Sequence, residues 1–267
     1  MTSRPEHRAA VEAGYAPLGE YVEKETQATR VPDVTFLDGR VQLFLGDCRT
    51  ILPMLGKVDA LVTDPPYGIG RDGMADSRYN GKPNGKGRKG YKFLGWDSSA
   101  PDQEVFDLML DAAGVHIIWG GNYFSDKLPP AMKWLVWDKG QRIQQSDGEL
   151  AWTSIGGALR IATFGRHLLH LDNAEHPTQK PVGVMKWCIA QLPDEADTIL
   201  DPFAGSGSTG VAAIKMGKRF IGIEREKSYF DIMVRRLSEA ADQPDLFIEK
   251  TTKPTQPDFL VEASSDG

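Results

Sequence analysis

Two apolar segments of this chain end in Asp-Pro, and a glycine-containing loop follows each of them. Residues 58–63 lead into Asp64–Gly68 (DPPYG), and residues 198–200 lead into Asp201–Gly207 (DPFAGSG). Each pattern is typical of a buried strand that opens into a tight turn at its carboxyl end. Ligands of open α/β sheets bind at that edge. We therefore expect two neighbouring loops, one for a cofactor and one for the group that reacts.

Strand and helix patterns alternate along the middle of the chain, which predicts a mainly parallel, doubly wound α/β sheet. Apolar runs predict strands at Val34–Leu37, Val41–Leu45, Val58–Thr63, Val115–Trp119, Trp134–Trp137, Thr198–Leu200 and Arg219–Ile223, with residues 149–164 extended. Asp38-Gly39 predicts a short hairpin between the first two. Helical spacing is found over Val105–Ala112, Val182–Leu192, Ser208–Met216 and Tyr229–Leu237.

The composition is that of one sizeable globular core, with 40% hydrophobic and 25% charged residues in a chain of 267. We expect a flexible leader over residues 1–32, one α/β domain over 33–240 and a disordered tail over 241–267. No apolar run has the length of a signal peptide core or a membrane span, so we expect a cytoplasmic protein without a membrane partner. Two cysteines, Cys48 and Cys188, indicate inert buried thiols rather than disulfides or a metal site.

A strongly basic segment directly follows the first loop. The net charge of the chain is −6, yet Arg71–Lys92 carries seven Lys and Arg against two Asp. Its many glycines and lack of apolar periodicity predict a loop insertion, about residues 70–95. Such a loop either contacts nucleic acid phosphates or is merely solvated. Its position after Asp64–Gly68 favours the first interpretation.

The two loops in this order, together with residues 176–181 (HPTQKP), resemble the permuted beta class of S-adenosylmethionine-dependent DNA amino-methyltransferases. The resemblance covers about residues 43–237. It implies a Rossmann-like methyltransferase fold, with a seven-stranded, mainly parallel sheet, one antiparallel strand and helices on both faces. It also implies S-adenosyl-L-methionine as cofactor and double-stranded DNA as partner, and it makes residues 33–240 the catalytic domain.

The resemblance makes Asp64, Pro65, Pro66 and Tyr67 the catalytic loop. An exocyclic amine conjugated to a base ring is a poor nucleophile, and acceptors such as the Asp64 carboxylate and the Pro65 carbonyl can stabilise the charge that develops on its nitrogen. Tyr67 offers a flat face for a base flipped out of the duplex. The alternative for the motif alone is a turn followed by a core tyrosine.

The same resemblance assigns the cofactor site, which needs no metal. Gly205 and Gly207 allow close backbone approach, Glu224 accepts hydrogen bonds from the ribose, Asp201 and Phe203 line the site, and Asp47 pairs with the adenine amine. Thr178 and Lys180 belong to the HPTQKP block, where Lys180 either meets the methionine carboxylate or is solvated. His176 is expected to be structural.

A different enzyme class competes for the second loop. Residues 205–210 also fit G-x-G-x-x-G, and Glu224 lies 19 residues after Gly205, as in a dinucleotide-binding fingerprint. The carboxylate of Asp201 argues against this, because it would repel a pyrophosphate and attract a sulfonium. A nicotinamide or flavin enzyme also leaves Asp64–Tyr67 unexplained.

The first residue of the catalytic motif bears on the substrate. In the family that the chain resembles, Asp in this place is typical of methylation at N6 of adenine, so the resemblance implies adenine in DNA as the target. Cytosine N4, RNA and protein amines remain alternatives, as does a catalytically silent DNA-binding relative. Only about 20 residues, 156–175, precede the HPTQKP block as a recognition segment, so either the DNA site that is read is short or the basic insertion shares that task. Asn122 and Trp152 either border the flipped base or are structural.

The tail contains a further candidate binding segment. Gln243–Phe247 (QPDLF) resembles the short peptides that dock on the bacterial sliding clamp. The alternative is that Leu246 and Phe247 pack back on the last helix. A monomer and a homodimer are both compatible with the sequence.

Overall fold

The computed structural model describes residues 30–70, 97–140, 146–165 and 179–242. The predicted leader, the basic insertion and the tail therefore lie almost wholly outside the described residues, and the recognition segment 156–175 is described only as far as residue 165. Among the described residues, no helix is both long enough and apolar enough to cross a membrane.

Nine strands form one sheet in the described part of the chain. In chain order they are β1 (Val34–Phe36), β2 (Val41–Leu45), β3 (Val58–Thr63), β4 (Ala113–Trp119), β5 (Trp134–Asp138), β6 (Gly148–Thr153), β7 (Arg160–Thr163), β8 (Thr198–Asp201) and β9 (Arg219–Glu224). Their spatial order is β1-β2-β9-β8-β3-β4-β6-β5-β7. All the predicted strands are confirmed to within two residues at either end.

The predicted total of seven strands with one antiparallel is wrong. The extended segment 149–164 divides into β6 and β7, which pair with opposite edges of β5. β6 is antiparallel to both of its neighbours, and the edge strand β1 is antiparallel to β2. The five central strands, β2, β9, β8, β3 and β4, are parallel, so the doubly wound core itself is confirmed.

Helices cover both faces of this sheet. They are α1 (Cys48–Ile51), α2 (Gln103–Asp111), α3 (Val182–Ile189), α4 (Ser208–Lys215) and α5 (Lys227–Asp242), with 3₁₀ turns at Leu52–Met54 and Gly121–Tyr123. Buried side chains of α3, α4 and α5 pack on one face, and those of α1 and α2 on the other. The short α1 and both 3₁₀ turns were not predicted, because four residues or fewer are too short to show helical periodicity.

Successive residues of the central strands enter opposite cores, as the pleat requires. In β3, Ala60 and Val62 belong to one core cluster, while Leu61 belongs to the other. Cys48 and Cys188 are buried free thiols, as predicted, and burial raises the pKa of Cys48 to about 12. Such thiols stay protonated and serve as packing groups.

The sheet reverses its winding between β3 and β8. From β3 the chain continues through α2 to β4 on one side, whereas from β8 it continues through α4 to β9 on the other. Because α2 and α4 lie on opposite faces, a crevice opens at the carboxyl ends of β3 and β8. Asp64 and Asp201 stand at those two strand ends.

Candidate active site

One pocket occupies the crevice between the two Asp-Pro loops. Eight of the predicted site residues line it: Asp47, Asp64, Pro66, Lys180, Asp201, Phe203, Gly205 and Glu224. Pro65, Tyr67 and Gly207 are close by in sequence but do not line the pocket. Thr178 lies outside the described residues, as does His176. The structure thus brings the two loops together at the predicted edge of the sheet.

The carboxylate of Asp64 is held by two side chains. The Tyr67 hydroxyl donates to Oδ1 at 2.6 Å, and the Lys180 ammonium donates to Oδ2 at 2.5 Å. Burial raises the pKa of Asp64 above its ordinary value, against the opposing effect of the adjacent Lys180. Each carboxylate oxygen has a second lone pair, so Asp64 retains capacity to accept a hydrogen bond from a ligand.

The Tyr67 ring is packed from several sides. Tyr123 stacks on it with ring centroids 4.8 Å apart, and Phe124 meets it edge-on at 6.0 Å. A Cβ on Gly120, which has φ +73°, would come within 2.2 Å of Tyr67 Cε1. One face of the ring is therefore occupied by Tyr123, a partner that the sequence did not predict. Burial raises the pKa of Tyr67 well above its usual value, so its hydroxyl stays a donor.

Lys180 is buried, so the alternative of a solvated lysine is wrong. Its side chain is 5% exposed, and its ammonium contacts Asp64 Oδ2, the Tyr67 hydroxyl at 3.1 Å and Glu149 Oε2 at 3.1 Å. It also lies over the ring of Trp119, 4.9 Å from the centroid. Lys180 thus joins the catalytic loop to the pocket wall.

Asp201 is enclosed by donors from the protein itself. Its carboxylate accepts hydrogen bonds from the hydroxyls of Thr63 at 2.7 Å and Thr209 at 2.6 Å, and from the backbone N–H of Phe203 at 3.1 Å. The residue is 2% exposed. Burial raises the pKa of Asp201 to about 6, although these donors oppose the shift. Asp201 therefore ties β3, β8 and α4 together beneath the pocket.

Glu224, at the end of β9, lines the pocket beside the second loop. Its Oε2 accepts from the backbone N–H of Gly205 at 2.8 Å, and its Oε1 accepts from that of Glu226 at 2.7 Å. Burial raises the pKa of Glu224 to about 7, with both backbone donors opposing the shift. Each oxygen keeps a lone pair for a ligand hydroxyl.

The glycines of the second loop serve two different purposes. Gly205 has φ +53°, and a Cβ there would meet nothing within 4 Å. Gly207 has φ +82°, and a Cβ there would lie 2.6 Å from Leu237 Cδ1. Gly205 thus leaves space next to the pocket, whereas Gly207 lets the start of α4 pack against α5.

Asp47 occupies the turn between β2 and α1. It is the N-cap of α1, where its Oδ1 accepts from the backbone N–H of Arg49 at 2.9 Å. It also lines the pocket, as the resemblance requires of an adenine-binding residue. Capping of α1 uses only Oδ1. The second carboxylate oxygen, Oδ2, lies 3.6 Å from the Arg49 guanidinium.

Two further charged residues of the site were missed in the sequence. Glu149, in β6, contacts Lys180, and Lys139, after β5, contacts Glu149 Oε1 at 2.7 Å. Lone charged residues at strand ends give no periodic signal, so only the strand order reveals them. Trp152, in contrast, is 3% exposed and donates its indole N–H to the Pro129 carbonyl, which favours the structural alternative for that residue.

The geometry of the second loop alone does not separate a methyltransferase from a dinucleotide enzyme. The unit β8–α4–β9, with Glu224 at the end of β9, is the arrangement that both classes would use. The likeness to known proteins bears on this choice.

A family model described as DNA methylase matches residues 130–235. Type II methyltransferase M2.LlaDCHI of Lactococcus lactis subsp. cremoris is 49% identical over 67 residues, which is 25% of each chain. DNA adenine methyltransferase YhdJ of Escherichia coli (strain K12) is 47% identical over 79 residues, 29% of this chain and 27% of that protein. The chain thus matches about a quarter of the length of these relatives.

The fold is shared with a solved structure over a longer stretch. The crystal structure of the M1.HpyAVI–SAM complex covers 74% of this chain and 98% of its own, with TM-score 0.50 and 23% identity. At that identity the likeness establishes the fold. The match of the family model, over residues 130–235, is a likeness to DNA methylases that spans less than half of the chain.

Proposed function

We propose that this protein transfers a methyl group from S-adenosyl-L-methionine to the N6 amine of adenine in DNA, with the base turned out of the duplex. The observation that carries the proposal is that one pocket is lined by both Asp64 and the second glycine loop. A carboxylate suited to bind an amine and a cradle suited to a nucleoside-like cofactor therefore adjoin each other.

The pocket has the features that this cofactor requires. Gly205 leaves open space, and Glu224 has lone pairs for the ribose hydroxyls. Asp47 lines the same pocket and is the proposed partner of the adenine amine. The carboxylates of the lining suit a cation better than a phosphate. When bound, the cofactor would supply an electrophilic methyl group on its sulfonium.

Asp64 would act on the acceptor amine. It would accept an amine N–H, which localises the nitrogen lone pair and stabilises the positive charge that develops during transfer. The Pro65 carbonyl is the second proposed acceptor, and Pro66 holds the loop against the pocket. Tyr67 and Lys180 fix the carboxylate in place, so that little reorganisation is needed when the amine arrives.

Two observations favour adenine as the target. YhdJ is named a DNA adenine methyltransferase, and the catalytic motif of this chain begins with Asp. Double-stranded DNA is the proposed substrate, with residues 70–95 and 156–175 as the proposed contacts, and a cytoplasmic location would give access to it. Of these two segments, the structure describes residue 70 and residues 156–165.

The proposal for the tail is separate. Gln243–Phe247 would dock on a sliding clamp and tether the enzyme to replicating DNA. Pull-down of the clamp by the full chain, lost in a chain that ends at Ala241, is the expected result; equal binding by both would contradict it. Light scattering will distinguish a monomer from a homodimer, both of which the proposal allows.

The function is tested by incubating the protein with labelled S-adenosylmethionine and unmethylated genomic DNA, then separating the nucleosides by mass spectrometry. N6-methyladenine is the expected product, and its rate of formation should be strongly reduced with Asp64→Ala. N4-methylcytosine alone would move the assignment to cytosine. Cofactor binding without any labelled DNA would move it to RNA, protein or a silent relative.

A further inference from the structure

A chain of four alternating charges leads from the catalytic loop into the sheet. Asp64 contacts Lys180, Lys180 contacts Glu149 Oε2, and Glu149 Oε1 contacts Lys139, at 2.5, 3.1 and 2.7 Å. The two lysine side chains are each 5% exposed, and the carboxylates are 24% and 26% exposed. Burying charges is costly unless each is paired, so this arrangement needs a reason.

The ammonium of Lys180 is fully matched by its partners. Its three N–H groups face three acceptors: Asp64 Oδ2, the Tyr67 hydroxyl and Glu149 Oε2. Lys180 therefore forms ion pairs with two carboxylates, those of Glu149 and Asp64, and not with Asp64 alone. Without Glu149 one buried N–H would lack its acceptor, and Asp64 would be the remaining anion in contact with Lys180.

Lys139 keeps Glu149 in this role. Burial alone would raise the pKa of Glu149, but Lys180 and Lys139 lower it to about 2. Glu149 is therefore an anion at every pH at which the enzyme would work. Lys139 itself lies 5.2 Å from the centroid of the Trp137 ring, which orients its ammonium toward β6.

We propose that Glu149, oriented by Lys139, is a positioning residue that sets where the Lys180 ammonium lies relative to Asp64 during methyl transfer. This inference rests on the function proposed above. Because Lys180 is shared between two carboxylates, its hold on Asp64 is weakened, and Asp64 can accept the substrate amine without losing its orientation. The amide of Glu149→Gln has one acceptor oxygen for two lysines. In that variant Lys180 should therefore pair more strongly with Asp64.

Kinetics provide the first test. Glu149→Gln should lower kcat by about 10- to 100-fold, because small displacements of catalytic groups have effects of that size. The KM for S-adenosylmethionine should stay within about twofold of wild type, since Glu149 does not line the pocket. Glu149→Asp should recover part of the rate. Lys139→Met should have a smaller effect, and the double variant should equal Glu149→Gln alone.

The matched control is Glu239→Gln, which breaks an exposed ion pair with Arg235 on α5, far from the loops in sequence. It should leave kcat unchanged. A loss of thermal stability in Glu149→Gln with wild-type kcat would show that the charges only join β5 to β6, and it would overturn the proposal.

A second readout does not depend on activity. The titration of the Asp64 carboxyl is followed by carbon-13 NMR in the wild type and in Glu149→Gln. Lys180, Tyr67, Glu149 and Asp201 are the charged or titratable groups that act on Asp64. The negative charge of Glu149 raises the pKa of Asp64, so the midpoint should move to lower pH in the variant.

The two readouts separate the inference from the function. Absence of DNA methylation by the wild type would refute the proposed function, whereas the NMR midpoint still tests how Glu149 acts on Asp64. An unchanged midpoint would overturn the inference even if the wild type methylates adenine. A shifted midpoint with reduced kcat is the expected combination.

Discussion

Asp64 and Asp201 occupy equivalent places and have different surroundings. Asp64 directly follows β3, Asp201 is the last residue of β8, both precede proline, and the two strands are parallel neighbours. Asp64 is bonded by a tyrosine hydroxyl and an ammonium and is 24% exposed. Asp201 is bonded by two threonine hydroxyls and a backbone N–H and is 2% exposed. The local sequence pattern is shared, but the donors differ.

The different donors and exposure of the two carboxylates indicate which of them can take part in a reaction. The donors around Asp201 are fixed parts of β3, α4 and the loop, so its carboxylate works as an internal brace. The donors around Asp64 are the ends of longer side chains, which can adjust when a ligand arrives. Thr63, directly before Asp64, donates to Asp201, so the brace also holds the catalytic loop.

The strongest challenge to this distinction is Asp64→Ala. We expect methyl transfer to fall by about 100- to 1,000-fold, because the acceptor that stabilises charge on the amine is lost. The affinity for S-adenosylmethionine, measured by calorimetry, should change little. Asp64→Asn keeps one acceptor oxygen and should lie between the alanine variant and the wild type in initial rate. A wild-type rate for Asp64→Ala would refute the catalytic assignment.

Asp201→Ala should affect stability instead. Three donors would lose their acceptor inside the protein, which we expect to lower the free energy of unfolding by about 2–4 kcal/mol. Urea denaturation followed by circular dichroism measures this. Asp201→Asn retains an acceptor and should cost less. Equal stability of Asp201→Ala and wild type would show that the brace has no mechanical role.

Two glycines with positive φ differ in the space beside them, and their alanine variants test whether the position of Tyr67 matters for catalysis. Gly120→Ala would drive a Cβ into the Tyr67 ring, so transfer should fall by about 10- to 100-fold through displacement of the catalytic loop. Gly217→Ala is the matched control, since Gly217 also has a positive φ (+71°), a Cβ there would meet nothing within 4 Å, and the residue does not line the pocket; this variant should cost only about 1 kcal/mol of strain. Similar rate losses in both would indicate backbone strain as the common cause.

The smallest expected effect concerns pH. The pKa of Glu224 is raised to about 7, so the carboxylate is mostly protonated at pH 6 and mostly ionised at pH 8. Only the ionised form accepts hydrogen bonds from ribose hydroxyls with both oxygens. The affinity for S-adenosylmethionine should therefore rise as pH increases, by up to about tenfold between pH 6 and 8. Glu224→Gln should flatten the profile measured by calorimetry; a dependence that persists would point to Asp201.

Much of this arrangement follows from apolar runs that end in charged residues. Val58–Thr63 and Thr198–Leu200 were predicted as strands, and parallel strands share a carboxyl edge, so Asp64 and Asp201 were expected side by side. Glu224 was likewise placed at the end of β9. These predictions succeeded because a short run of neighbouring residues is enough to indicate a buried strand and the residue at which it ends.

The contacts around Lys180 could not be predicted in the same way. They depend on β6 lying between β4 and β5, which brings Glu149 beside a lysine that comes later in the chain. The stacking of Tyr123 on Tyr67 depends on the 3₁₀ turn after β4 and on Gly120. Side-chain contacts between distant segments depend on the order of the strands in the sheet, and local sequence patterns do not reveal that order.

The central claim is that two similar aspartates divide catalysis and support between them. Single-turnover methyl transfer at saturating S-adenosylmethionine, below the unfolding temperature of both variants, compares Asp64→Ala with Asp201→Ala directly. We expect Asp201→Ala to stay within about tenfold of the wild-type rate, whereas Asp64→Ala should fall by about 100- to 1,000-fold. Transfer by folded Asp64→Ala at a rate equal to or above that of Asp201→Ala would contradict the central claim.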